Sequence, residues 1–188
     1  MDARNLVMYA VLGLVLLNWN NSNSGTAGDD ESNFFDDGLD EMGNLINGWP
    51  PGAAPYREMI ERAAARFDVP VAILAWLLWK ESRYNPAIIS GAKRSPVGAM
   101  GIAQFMPATA REELGSEAAA LDPVAAIPGA ARYLAKLYDQ VDTWAEALAA
   151  YNWGIGNVRR KGLSVAPRET TNYYKTIMAK AGVSEATA

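Results

Sequence analysis

From Tyr56 onward, apolar side chains recur every three or four positions and nowhere alternate for more than a few residues. A period near 3.6 builds helices with one apolar face, whereas a strand needs a period of two. That spacing commits the folded part of the chain to helix packed on helix, and predicts an all-α domain, α-rich α+β at most. Tyr56, Met59, Ile60, Ala63, Ala64 and Phe67 mark a first helix. Asp68-Val69-Pro70 is a stop and restart, since proline suits a first helical turn. The next helix begins at Val71, carries VAILAWLLWKESRY and ends before Pro86. Further helices are expected at 107–115, 123–139, 143–152 and near 168–181. The Gly/Ser/Pro-rich stretch 86–103 is expected as a loop with room for a small hairpin. No internal repeat is present.

The first 55 residues obey different rules. Leu6 to Leu17 is a run of twelve apolar residues. As a helix it reaches about 18 Å, short of the roughly 20 residues a bilayer core requires. Twelve fits the apolar region of a secretory signal, but Asp2 offsets Arg4 in the preceding segment. The retained Met1 favours an uncleaved short anchor or packing helix in residues 1–20, with a removable signal and a core helix as the alternatives. Residues 21–55 read as a linker. Its Gly/Ser/Asn-rich first part cannot bury enough surface to offset the entropy of ordering, and WPPGAAP closes it with helix-stopping prolines. Between them, FFDDGLDEMGNLI has the pattern for a helical turn on a partner. The expected organisation is therefore an apolar segment at 1–20, an acidic linker at 21–55 and a folded domain at 56–188.

Charge divides the same way. Residues 29–41 hold seven acids and no base, whereas Tyr56 to Ala188 holds 16 bases against 13 acids, a net of +3. A mildly basic domain suits an anionic polymer. It lacks the dense basic stripe of a nucleic-acid binder, so no nucleic-acid partner is expected. The chain has no Cys and no His. Disulfides, thiolate metal sites, His-ligated metals and His-based triads are excluded, and neither metal nor cofactor is expected. Acid–base chemistry falls to Asp, Glu, Lys or Tyr.

Among these, Glu81 is out of place. Leu78, Leu77 and Leu74 lie three, four and seven positions before it, which puts a carboxylate on an apolar stripe. Such burial is costly unless the group is paired or protonated. Either Glu81 caps a helix or bridges to Arg83 or Arg132 and does no chemistry, or its apolar wall raises its pKa until it carries a proton near neutrality. Glu112 and Glu113 fall in the polar part of their helix, and Glu146 precedes an Ala-rich turn.

The segments C-terminal to Glu81 narrow the choice. The chain reads Glu81-Ser82, then Ser90, then GAMGIAQFMPATA from Gly98. AYNWGIG begins at Ala150, and ETTNY at Glu169. In this order the elements resemble the soluble lytic transglycosylase family, lysozyme-like enzymes that cut peptidoglycan, over about residues 56–181. The resemblance implies an α-helical lysozyme-like fold with a glycan groove and Glu81 as the single catalytic acid. It implies that Ser90, Gln104, Met106, Tyr151 and Glu169 line saccharide subsites, and that Asn152 and Tyr173 support the groove or contact the acid. Two departures stand out. Gly91 to Val97 separate Ser90 from Gly98, a longer connection than the family pattern, and Ala103 stands where Met is common.

Each piece also has a plainer role. The glycines supply tight turns. The GIG of residues 154–156 is no nucleotide fingerprint, having neither a preceding strand nor a third glycine in place. Tyr151 and Trp153 suit a core, Trp76, Trp79 and Trp144 a core or rim, and Arg159-Arg160-Lys161 a solvated face. Gln104 offers both a donor and an acceptor to an acetamido sugar.

A two-carboxylate glycosidase needs a partner acid, and no second acid with a comparable motif accompanies Glu81. The family resemblance implies a route through the N-acetyl group of the muramic acid sugar. In it Glu81 protonates the leaving oxygen, then takes the proton of the C6 hydroxyl, giving a 1,6-anhydro product. The alternatives are a muramidase that uses water in the same groove, and a catalytically inactive peptidoglycan-binding or virion module. The expected setting is periplasmic or cell-envelope, membrane-attached through residues 6–17, or within a phage particle or secretion assembly.

Overall fold

A computed structural model describes residues 48–184 apart from Arg94. The apolar run 6–17 and the acidic stretch 29–41 lie outside the described residues. No helix among the described residues is long and apolar enough to cross a membrane.

The described chain contains eight α-helices and, apart from one isolated bridge, no β pairing. They are α1 (Arg57–Phe67), α2 (Val71–Ser82), α3 (Pro86–Ile89), α4 (Pro107–Leu114), α5 (Pro123–Tyr138), α6 (Trp144–Trp153), α7 (Ile155–Lys161) and α8 (Arg168–Ala181). The six helices expected from periodicity all form, with ends shifted by one or two residues. Pro86, Pro107 and Pro123 each open a helix at the position where a missing N–H costs nothing. Asn85, Asp122 and Thr143 cap α3, α5 and α6 through their side chains. Thr143 also donates to Glu146 Oε2 at 2.8 Å, so the two side chains close the N-terminus of α6 together.

Helix α2 is the centre of the core. Every residue from Ile73 to Leu78 is buried, and Leu74, Leu77 and Leu78 are wholly so. A helix apolar on nearly every face has to be surrounded. Helices α1 and α8 pack on it, α5 packs on α1, and α6 is wrapped by α5, α7 and α8. The C-terminus of α2 ends abruptly. Arg83 and Tyr84 both take left-handed backbone angles, and the Tyr84 hydroxyl folds back to donate to the Ala75 carbonyl at 2.8 Å. That turn leaves Glu81 in the last turn of the helix.

The structure adds to the periodicity in three places. The stretch 86–103 opens with the one-turn helix α3, and only Met100 and Phe105 pair across its end as an antiparallel bridge. Helix α7 follows α6 after a sharp break at Gly154, whose φ of +89° suits glycine. The proline-rich end of the expected linker is packed: Pro50 and Ala53 are buried, and the Trp76 indole donates to the Gly48 carbonyl at 3.1 Å.

Candidate active site

The C-terminal end of α2, the first turns of α8 and the end of α6 border a cleft of about 530 Å³. Lys80, Glu81, Asn152, Arg168, Glu169, Asn172 and Tyr173 line it. Glu81 is half-buried there, and burial pushes its pKa up from 4.5 to about 7, against the lowering effect of a hydrogen bond from Tyr173 and of the nearby Lys80 charge. The Tyr173 hydroxyl donates to Glu81 Oε1. Oε2 has no hydrogen-bond partner among the described residues. The acid is thus gripped by one oxygen and has the other available for a proton.

Neither arginine considered as a partner for Glu81 reaches it. Arg83 lies over the Trp79 ring, 3.5 Å from its centroid. Arg132 is occupied by Glu113, donating to its carbonyl and pairing with its carboxylate at 3.5 Å. Glu113 departs from the expectation: it does not sit on a polar face but is buried, with Lys136 Nζ at 2.5 Å from Oε1. The two bases of α5 reach across to it, which a pattern read along α4 alone does not reveal.

A chain of phenols extends from the acid. Tyr151 and Tyr173 are both raised well above the ordinary tyrosine pKa, by burial first and then by the Glu81 charge. They stay protonated near neutrality and act as donors. Tyr151 donates to the Ala103 carbonyl at 3.0 Å and packs its ring on Tyr133 and Phe105. It thereby ties α6 to the 98–105 turn. In that turn Gln104 has a positive φ of 49°, and its Nε2 donates to the Gly101 carbonyl at 2.8 Å.

Of the residues singled out from sequence, Glu81, Asn152, Glu169 and Tyr173 meet in the cleft. Asn152 accepts from Thr170 Oγ1 at 2.8 Å, joining α6 to α8. Tyr151 stands beside the acid electrostatically, with its hydroxyl committed to Ala103. Ser90, Gln104 and Met106 do not line this cleft: Ser90 ends α3, and Met106 is exposed just before α4. Sequence reasoning missed Lys80, Arg168 and Asn172. The signal was available on α8, where Arg168 and Asn172, like Glu169 and Tyr173, stand four positions apart and so lie on one face pair by pair.

The geometry has counterparts among known proteins. Residues 58–174 match the transglycosylase SLT domain family. A membrane-bound lytic murein transglycosylase F of Alkalilimnicola ehrlichii is 36% identical over 110 residues, covering 55% of this chain and 23% of the relative. A transglycosylase of Enterobacteria phage PRD1 is 38% identical over 103 residues, covering 55% of this chain and 36% of the relative. The crystal structure of an inactive glutamate-to-glutamine mutant of the lytic transglycosylase Slt from Pseudomonas aeruginosa superposes with a TM-score of 0.58 at 25% identity, over 67% of this chain and 23% of that one. The chain therefore spans about a third or less of the length of these relatives. With its lysozyme-like helical architecture and a match running from α1 into α8, the chain belongs to the transglycosylase SLT domain family.

Proposed function

We propose that the chain is a lytic transglycosylase acting on peptidoglycan, cleaving the β-1,4 bond between N-acetylmuramic acid and N-acetylglucosamine. The observation that carries the reading is Glu81: a carboxyl in no ion pair among the described residues, pushed up to about 7, opening on a cleft built by three helices. An acid poised near the working pH can give a proton and take one back. Glu81 protonates the glycosidic oxygen as the bond to C1 breaks, with the N-acetyl oxygen of the muramyl sugar stabilising C1. The ionised Glu81 then removes the C6 hydroxyl proton, and that oxygen bonds to C1. The product is a 1,6-anhydro sugar, no water is consumed, and Glu81 ends protonated. Tyr173 holds the acid, and Asn152 and Glu169 contact the glycan. Ser90, Gln104, Met106 and Tyr151 belong to its flanking subsites. In this reading the domain serves local opening of the wall, in the envelope or in a phage particle or secretion assembly, with residues 6–17 touching a membrane and 21–55 tethering the domain. Relatives named as membrane-bound and as a phage protein support that setting.

Glu169 on the same cleft favours one competing reading, hydrolysis by two carboxylates. Mass spectrometry of digested sacculi separates the two. Anhydro ends are expected, formed also by Glu169→Gln and reduced about 10³-fold by Glu81→Gln. Reducing ends alone would mean a muramidase, and undiminished clearance by Glu81→Gln would remove Glu81 from the chemistry.

A further inference from the structure

Most cations of the described structure are engaged. Arg62, Arg111, Arg132 and Lys136 pair with acids. Arg66, Arg83, Lys161 and Lys180 lie over aromatic rings. Lys80 and Arg168 do neither among the described residues, yet both line the cleft beside Glu81. They come from different helices, Lys80 from the last turn of α2 and Arg168 from the first residue of α8. The acids on the same cleft are Glu81 and Glu169, and neither forms an ion pair with them. Two bases and two carboxyl groups thus share the cleft, and burial pushes one of those carboxyls, Glu81, toward its neutral form. An uncharged sugar gives no reason to gather two bases there. A carboxylate does, since the guanidinium fork and the ammonium can both donate to it.

We infer that Lys80 and Arg168 form a carboxylate-binding subsite of the cleft, which selects muramyl units by their negative charge. The inference rests on the cleft being a glycan groove. Carboxylates reach a muramyl unit from two sources: the stem peptide, and the lactyl group once that peptide has been cut away. N-acetylglucosamine has neither.

Equilibrium binding by the full chain carrying Glu81→Gln tests it, because glutamine mimics the neutral acid and prevents turnover. The probes are peptide-bearing glycan strands, strands stripped of peptide by an amidase, and a chitooligosaccharide. Adding Lys80→Gln and Arg168→Gln is expected to weaken binding of a carboxylate-bearing strand roughly tenfold, as two partly exposed charge contacts would, and the chitooligosaccharide by less than about twofold. Loss confined to peptide-bearing strands assigns the stem peptide as the source, and loss on stripped strands assigns the lactyl carboxylate. The charge-keeping pair Lys80→Arg and Arg168→Lys retains most of the affinity. Equal weakening for all three probes, or for none, overturns the subsite while leaving the groove in place. Failure of the Glu81→Gln chain to bind any of them removes the groove, and the subsite with it.

Discussion

Glu81 is held between opposing forces, burial that favours its neutral form and a tyrosine hydroxyl that favours its charge. Burial wins, and the balance has a consequence for stability. In the unfolded chain Glu81 ionises near 4.5, in the folded one near 7. Between those values the folded state holds the extra proton, so this group's contribution to stability is complete below about 4.5 and is lost as pH rises through 7. Glu81→Gln is therefore expected to match the native chain in urea unfolding near pH 4.5 and to exceed it at pH 8, by on the order of 3 kcal/mol. An advantage independent of pH would show that Glu81 is not sheltered. Tyr173→Phe acts on the other side of the balance. It removes the one hydrogen bond that lowers the Glu81 pKa, so the alkaline limb of the pH–activity profile should move upward. A downward move would mean that the tyrosine holds the neutral form instead.

At the scale of elements, the 98–105 turn shows how closely backbone packing limits the site. A Cβ on Gly101 would lie 1.7 Å from the Ala120 carbonyl oxygen, at a φ of +72° that already disfavours any other residue. The obstacle is backbone, so no side chain can swing aside. Gly101→Ala is expected to cost about 2–4 kcal/mol in thermal or urea unfolding, and to reduce activity as Gln104 and the Tyr151–Ala103 contact shift. A variant of native stability would show that the segment around Ala120 can retreat freely. Elements of this kind are hard to read in sequence. α3 has four residues and cannot display a helical period, and α7 is announced only by the glycine break before it. The hairpin expected within 86–103 shrinks to the Met100–Phe105 bridge, because Gly101 and Gln104 turn the chain within four residues. The burial of Glu113 escapes local pattern for a related reason. Its neutralising partners stand on α5, about twenty positions away.

At the scale of the whole molecule, the excess of bases from Tyr56 onward bears on how the domain meets an anionic wall. Association that leans on exposed charge weakens as salt shortens the screening length from about 10 Å at 0.1 M to about 3 Å at 1 M. Retention on purified sacculi should accordingly fall at least about threefold across that range, and constant retention would assign the contact to uncharged sugar alone. The same scale separates the two sources of information. Local pattern by itself determined the all-α class, six of the eight helices and the position of Glu81 on an apolar stripe, because helix formation and face assignment depend on neighbours three and four residues away. The tertiary structure decided what Glu81 does there. It chose between an arginine partner and an open cleft by sending Arg83 to Trp79 and Arg132 to Glu113, and it brought Tyr173 to the acid across 92 positions of sequence. It also brought Lys80 and Arg168 to one cleft. A side chain's pKa depends on what surrounds it in space, and for Glu81 most of those surroundings come from α6 and α8, which only packing brings to the end of α2.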